Sequence, residues 1–346
     1  MVRLKEICKV DWGNTNLTKA AYTEGGEYLG VSATGCDGKF NYYNFEAYTP
    51  VISAIGANCG KMFLPQRKFV AIKNTITLVP HDCIDGKYLY YAMINNRIPK
   101  RGGGQPFISK SDTENYEIPC PSLSIQREIV RIFDILSSII KSRQQQLQKL
   151  DELVKARFVE LTGEAKTTPT RMGDVATYLN GYAFKPEQWE KSGLPIIRIQ
   201  NLNDSTAIYN YYTGTLPEKY YVQNGDVLVS WATHFEAYIW KGPNAWLNQH
   251  IFKVVFDKIV VNKVYFVYAC EEALRQAFRN AHGFKPTMEH IKKADFDNAI
   301  VKLPPIDVQN QFAAFVTQTD KSKAAVQKAL DETQLLFDSL MQKYFG

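Results

Sequence analysis

The feature that most constrains this chain is a heptad seam written twice. Between Ile129 and Leu161 the seam positions step by fours and threes through Phe133, Leu136, Ile140, Arg143, Leu147, Leu150, Val154 and Arg157. The same phase returns in Phe312, Val316, Thr319, Lys323, Val326, Leu330, Thr333, Phe337, Leu340 and Tyr344. A 3.5-residue repeat keeps one stripe of a helix facing a neighbour along its whole length, so each segment predicts a long helix with a partner beside it. Residues 125–161 as a single helix would run about 55 Å at 1.5 Å per residue, more than packing on one small domain needs. Matching length and phase predict that the two helices pair with each other as a coiled coil.

The duplication extends beyond the helices. A shift of 183 residues superposes Pro121 on Pro304, Gln126 on Gln309, Leu147 on Leu330 and Gly163 on Gly346. A shift of 168 brings Ile7 to Val175, Gly13 to Gly181 and residues 28–31 to 196–199. At 177, Val51, Ile52 and Ser53 meet Leu228, Val229 and Ser230, and at 174 Asn74 meets Asn248. The plan is globular, helix, globular, helix, with segments 1–120, 121–163, 164–303 and 304–346. β-Branched and aromatic runs at 70–79, 226–231 and 251–256 predict strands, and residues 86–95 and 263–280 predict helices. The fold class is α+β, with a mixed or twisted sheet in each globular part. Residues 162–170, rich in Thr, Gly and Pro, read as an exposed linker.

No run approaches 18 apolar residues, and Arg3, Lys5, Glu6 and Lys9 interrupt the start, which argues against a membrane span, a membrane partner or a secretory signal. Cys8, Cys36, Cys59, Cys83, Cys120 and Cys270 form no Cys-x-x-Cys pair. They read as reduced cytoplasmic thiols, mostly small buried hydrophobes.

Signatures of catalysis are weak throughout. Gly56, Gly60 and Lys61 fall one residue short of a phosphate loop, and Met62 stands where a hydroxyl would hold magnesium, so a β-turn is the better reading. Arg101, Gly102, Gly103 and Gly104 continue into no dinucleotide motif and fit a ligand-touching loop or a hairpin turn equally well. The Pro304-Pro305 pair reads as a helix start, and Glu164 and Lys166 lie in the linker. His81, His234, His250, His282 and His290 show no metal-ligand spacing. Neither a catalytic group nor a metal site is expected.

Positive charge concentrates in the globular parts: residues 1–120 and 166–303 each carry a net +3, against +1 for 121–165 and −1 for 304–346. Lys39, Asn41, Tyr42, Tyr43 and Asn44 cluster in the first half, and Arg198, Gln200, Asn201 and Asn203 in the second, near Tyr209, Tyr211 and Tyr212. Arg suits guanine and Asn or Gln suits adenine in the major groove, while Lys and Arg neutralise phosphates. The expected DNA contacts are Lys39, Asn41, Tyr42, Arg198, Gln200 and Asn201, with Lys61, Arg101 and Lys285 on phosphates.

Taken in order, these motifs resemble the specificity subunit of type I restriction-modification systems, over essentially the whole length. The resemblance rests on the openings Leu4-Lys5-Glu6-Ile7 and Met172-Gly173-Asp174-Val175, the strands at 28–31 and 195–199, and the Asn74 and Asn248 strands. It is completed by Pro121 with Gln126 and Pro304 with Gln309, each before a long helix. The resemblance implies two target recognition domains, each reading half of a split double-stranded DNA sequence, with the helices antiparallel as a ruler between them. It further implies a non-catalytic chain that binds no cofactor and docks two methyltransferase subunits, which carry S-adenosylmethionine, and motor-nuclease subunits where present. The chain is short for the family, with little before Leu4 and an end just after the second helix. Polar seam positions Thr319, Lys323 and Thr333 predict that the second helix is held partly by a partner. The alternative is a duplicated coiled-coil adaptor whose globular halves bind protein.

Overall fold

The computed structural model describes residues 1–204, 206–231, 236–282 and 293–346. It divides into two compact units, the first comprising Met1–Gln146 with Val326–Gly346 and the second Leu147–Ala325. The long helices Leu123–Glu164 and Ile306–Phe345 each contribute one part to each unit. In the first unit Phe133, early in the first helix, meets Phe337, Tyr344 and Phe345, late in the second. In the second unit Phe158, late in the first helix, meets Phe312, early in the second. Early-to-late pairing at both places makes the helices antiparallel.

The seam lies where the heptad spacing put it. Ile129, Phe133, Leu136, Val154, Leu161, Phe312, Val316 and Thr319 are buried, and the remaining seam positions are half-buried. The polar seam residues of the second helix find partners within the chain. Thr319 and Thr333 donate to the carbonyls of Phe315 and Ala329 one turn back, and Lys323 pairs with Asp151 of the first helix at 2.6 Å.

Each unit wraps its helices in the same α+β scaffold. In the first, strands Cys8–Trp12, Val51–Ser53, Met62–Phe63 and Thr75–Pro80 form one sheet, and Tyr28–Ser32 lies between Gly35–Phe40 and Phe69–Ala71 in another. In the second, Thr177–Asn180, Val227–Ser230, Ala237–Ile239 and Ile251–Val255 form one sheet, and Leu194–Ile197 lies between Asn210–Tyr212 and Ala245–Leu247 in another. The neighbouring strands on one side are parallel in both units, Phe69–Ala71 in the first and Ala245–Leu247 in the second, where Tyr221–Val222 adds a fourth strand, so this sheet is mixed in each unit. Leu4, Ile7, Ile52, Ile76, Leu78 and Tyr88 pack around Ile129 and Phe133. Met172, Val175, Val227, Val229, Phe252 and Tyr265 pack around Phe312 and Val316.

The glycines paired by the 168-residue shift have one reason. A Cβ on Gly13 would lie 2.4 Å from the Ile72 carbonyl oxygen, and one on Gly181 would lie 2.1 Å from that of Asn248. Bare backbone is what lets the chain cross at this point.

Three expectations are corrected. Residues 162–170 are no free linker, because the helix runs to Glu164 and Thr168–Arg171 pairs antiparallel with Ile300–Leu303. The run at 70–79 is two strands, since Asn74 turns with φ 69°, a left-handed geometry that asparagine tolerates. Only Cys8, Cys59 and Cys270 are buried, whereas Cys36 and Cys83 are exposed.

Candidate nucleic-acid interface

In the first unit the strand Gly35–Phe40 delivers Lys39 to the surface and runs into a segment pinned to Phe69, whose carbonyl accepts from the Asn44 and Phe45 amides. Lys39 and Asn41 are exposed. Tyr42 is 48% exposed and leans on Phe40, while Tyr43 packs on Tyr28. Lys68 joins this patch from the connection that leads into Phe69–Ala71, with its ammonium 4.1 Å from the Tyr43 ring centroid, 2.8 Å from its hydroxyl and 3.1 Å from Glu46. Lys68 carries no signal in the sequence, being 25 residues from its partner.

Lys61 and Arg101 belong to different local structures. Lys61 is exposed, with its ammonium 5.8 Å from the Phe63 ring centroid. Arg101 bridges to Phe107, which makes the glycine run a hairpin-like turn, and its guanidinium forms a two-pronged pair with Asp112, both contacts at 2.8 Å. The Arg101 and Ser109 hydrogen bonds hold Asp112 below the usual carboxylate range. A phosphate at Arg101 would therefore compete with a carboxylate already seated.

Near the Tyr28–Ser32 hairpin a second cluster closes on itself. Asp37 accepts from Lys19 at 2.6 Å, Tyr22 at 2.6 Å and Ser32 at 2.8 Å, and from Thr34. Burial would raise its pKa, yet these donors outweigh it and hold the carboxyl far below its ordinary value.

The second unit arranges its candidates differently. Arg198 follows the strand Leu194–Ile197, half-buried, with its guanidinium carbon 4.8 Å from the Trp189 ring centroid and Nη1 donating to Asn210 Oδ1 at 3.1 Å. Gln200 is exposed and donates to the Ile208 carbonyl at 3.3 Å. Asn201 is corrected: it is 4% exposed, its oxygen accepts from the Arg198 amide, and its nitrogen donates to the Ala207 and Ile208 carbonyls. It holds the turn and offers DNA nothing. Asn203 likewise accepts from the Tyr238 hydroxyl. Lys285 lies outside the described residues. Trp189 and Asn210, missed in the sequence, sit 9 and 12 residues from Arg198, at separations that follow no helical or strand period.

Among the described residues no group of three or more His, Cys, Asp or Glu side chains could hold a metal ion, and no helix is long and apolar enough to cross a membrane. The family model of the type I restriction modification DNA specificity domain matches residues 1–152 and again residues 166–333. The chain belongs to this family. Two matches to one domain model also account for the duplicated scaffold. Among curated relatives, the EcoBI specificity subunit of Escherichia coli is 32% identical over 166 residues, which is 45% of this chain and 34% of the relative. The MjaIX specificity subunit of Methanocaldococcus jannaschii is 21% identical over 99% of this chain and 91% of the relative. The first alignment thus spans about a third of its relative's length. The solved S subunit of a type I restriction-modification system from M. genitalium shares the fold with a TM-score of 0.64 at 15% identity, covering 100% of this chain and 95% of that one. A chain from a structure of type I complex assembly and conformational transition matches with a TM-score of 0.55 at 16% identity, covering 99% and 95%.

Proposed function

We propose that this specificity-family chain reads a bipartite duplex DNA target, with residues 1–120 serving one half-site and 164–303 the other. The observation that carries the reading is one scaffold built twice with chemically different groups at its surface: exposed Lys39, Asn41 and Tyr42 with half-buried Lys68 in one unit, half-buried Arg198 and exposed Gln200 in the other. Identical scaffolds with unlike surfaces suit two halves of an asymmetric sequence. Lys61 and Arg101 serve as phosphate contacts, Arg101 by exchanging Asp112 for a phosphate oxygen.

The chain positions partners rather than supplying reacting groups, and it works in the cytoplasm, where the DNA is. Ile125, Ile132 and Ile135 of the first helix are 46%, 37% and 54% exposed and lie off the seam, spaced to receive an apolar helix. That face supports docking of methyltransferase subunits, two per chain, with S-adenosylmethionine bound on them. Motor-nuclease subunits complete the assembly where they are encoded.

The test is to co-express the chain with its neighbouring methyltransferase gene and map methylated adenines across the host DNA. Two short motif halves with a fixed gap are expected. A formed complex that adds no methylation would favour a protein adaptor, and absence of a complex would remove the assigned partner.

A further inference from the structure

Arg198 and Ser32 occupy the same place in the two scaffolds, which sets these strands at a shift of 166 residues rather than 168 and ends the second one at Ile197, before the helical turn Ile199–Asn203. The Ile72 amide donates to the Val31 carbonyl in the first unit and the Asn248 amide to the Ile197 carbonyl in the second, so each residue is the next one after the end of a parallel pairing. Their surroundings differ in what they leave unspent. Ser32 donates to Asp37, whose carboxylate also takes Lys19, Tyr22 and Thr34, and that cluster is internally closed. Arg198 spends one donor: among the described residues its guanidinium bonds Asn210 alone.

Three segments fix the guanidinium. Trp189 comes from the connection whose neighbour Glu190 bridges to Tyr211, Asn210 from the strand Asn210–Tyr212, and Arg198 from the end of the strand it pairs with. The guanidinium carbon lies over the Trp189 ring and the Asn210 oxygen holds one corner. A phosphate is held by an arginine fork or by the point charge of a lysine, so it does not by itself call for a guanidinium fixed in advance by neighbours. A guanidinium held over an aromatic ring, with N–H groups that bond nothing among the described residues, suits two coplanar acceptors, and guanine O6 and N7 in the major groove are such a pair.

We infer that Arg198 reads a guanine in the half-site of the second unit, with Trp189 and Asn210 as the positioning residues that hold its guanidinium for that contact. The inference rests on the DNA-reading function proposed above and adds the base and the residues that select it.

The test uses the full chain in its methyltransferase complex. The wild-type motif is mapped first, and methylation rates are then compared on targets changed one base pair at a time. Arg198→Ala is expected to lose about 5- to 150-fold discrimination at a single G·C pair and little elsewhere. Arg198→Lys recovers part of it. Trp189→Phe and Asn210→Ala lose less, at the same pair, and Trp189→Phe added to Arg198→Ala costs nothing further at that pair. Uniform weakening across all targets, full rescue by lysine, or a Trp189→Phe loss at another position or additive with Arg198→Ala would overturn the inference. A wild-type complex with no DNA target would overturn the parent reading, whereas a bipartite wild-type target with unchanged variants would overturn the guanine assignment alone.

Discussion

The two units share their buried joints and differ at their surfaces. Gln126 and Gln309, both buried, accept from the Asp85 and Asn262 amides and donate to the Pro121 and Pro304 carbonyls. Asp85 and Asn262 each cap the next helix through its free amides, and Tyr88 and Tyr265 each donate to a backbone carbonyl, of Pro119 and Lys302. Such joints use backbone groups that every sequence has, so they recur when side chains around them change. The core is less strict: Phe133 corresponds to Val316 and Ile129 to Phe312 under the 183-residue shift, so the aromatic anchor moves by one helical turn between copies. At the end of the central strand the units part company, with a closed carboxylate cluster in one and an open guanidinium in the other. The scaffold tolerates that exchange because neither cluster carries its core.

The strongest way to break this comparison is to remove the anchors. Phe133→Ala and Phe312→Ala should each cost about 3–5 kcal/mol, since both side chains are fully buried. Hydrogen exchange should show lost protection confined to the unit concerned; equal loss in both would deny that they are separate cores. The buried glutamines sharpen the comparison next. Gln126→Leu strands an amide and the Cys83 and Pro121 carbonyls, Gln309→Leu one fewer group. Denaturant unfolding should therefore show a loss of about 2–3 kcal/mol for the first and less for the second.

Acid distinguishes the units more gently. Asp37 has a lowered pKa when folded, so its contribution is present above the unfolded value and is lost as pH falls through the folded one. Asp37→Asn should cost about 1–3 kcal/mol at neutral pH and flatten the acid limb of the first unit's stability. In the second unit burial raises Glu271, and its contribution is present at low pH and fades as pH rises through its folded pKa. Glu271→Gln should remove that dependence, read as stability against pH. Smallest of all, Lys323→Met should change stability by less than about 1 kcal/mol, because Asp151 opposite is 59% exposed.

The long helices were legible because a 3.5-residue spacing is itself the contact geometry, and Ile129 through Tyr344 needed no distant information. The antiparallel sense and the recognition function came from the resemblance. The surface was harder to read. Arg198 and Lys39 stood out by type, yet Trp189, Asn210 and Lys68 reach the clusters through chain reversals that no local pattern records. Asn201 misled because an amide that can read adenine can equally hold a turn, and only burial separates the two. Asp112, eleven residues after Arg101, was invisible for the same reason as Trp189.

The central claim is one unit per half-site, and an exchange tests it most directly. Residues 1–120 would be replaced by the corresponding segment of a family member with a different target, and the methylated motif mapped in the same host. The account predicts one half of the motif replaced, with the other half and the gap unchanged. A motif altered in both halves, or in neither, would contradict it.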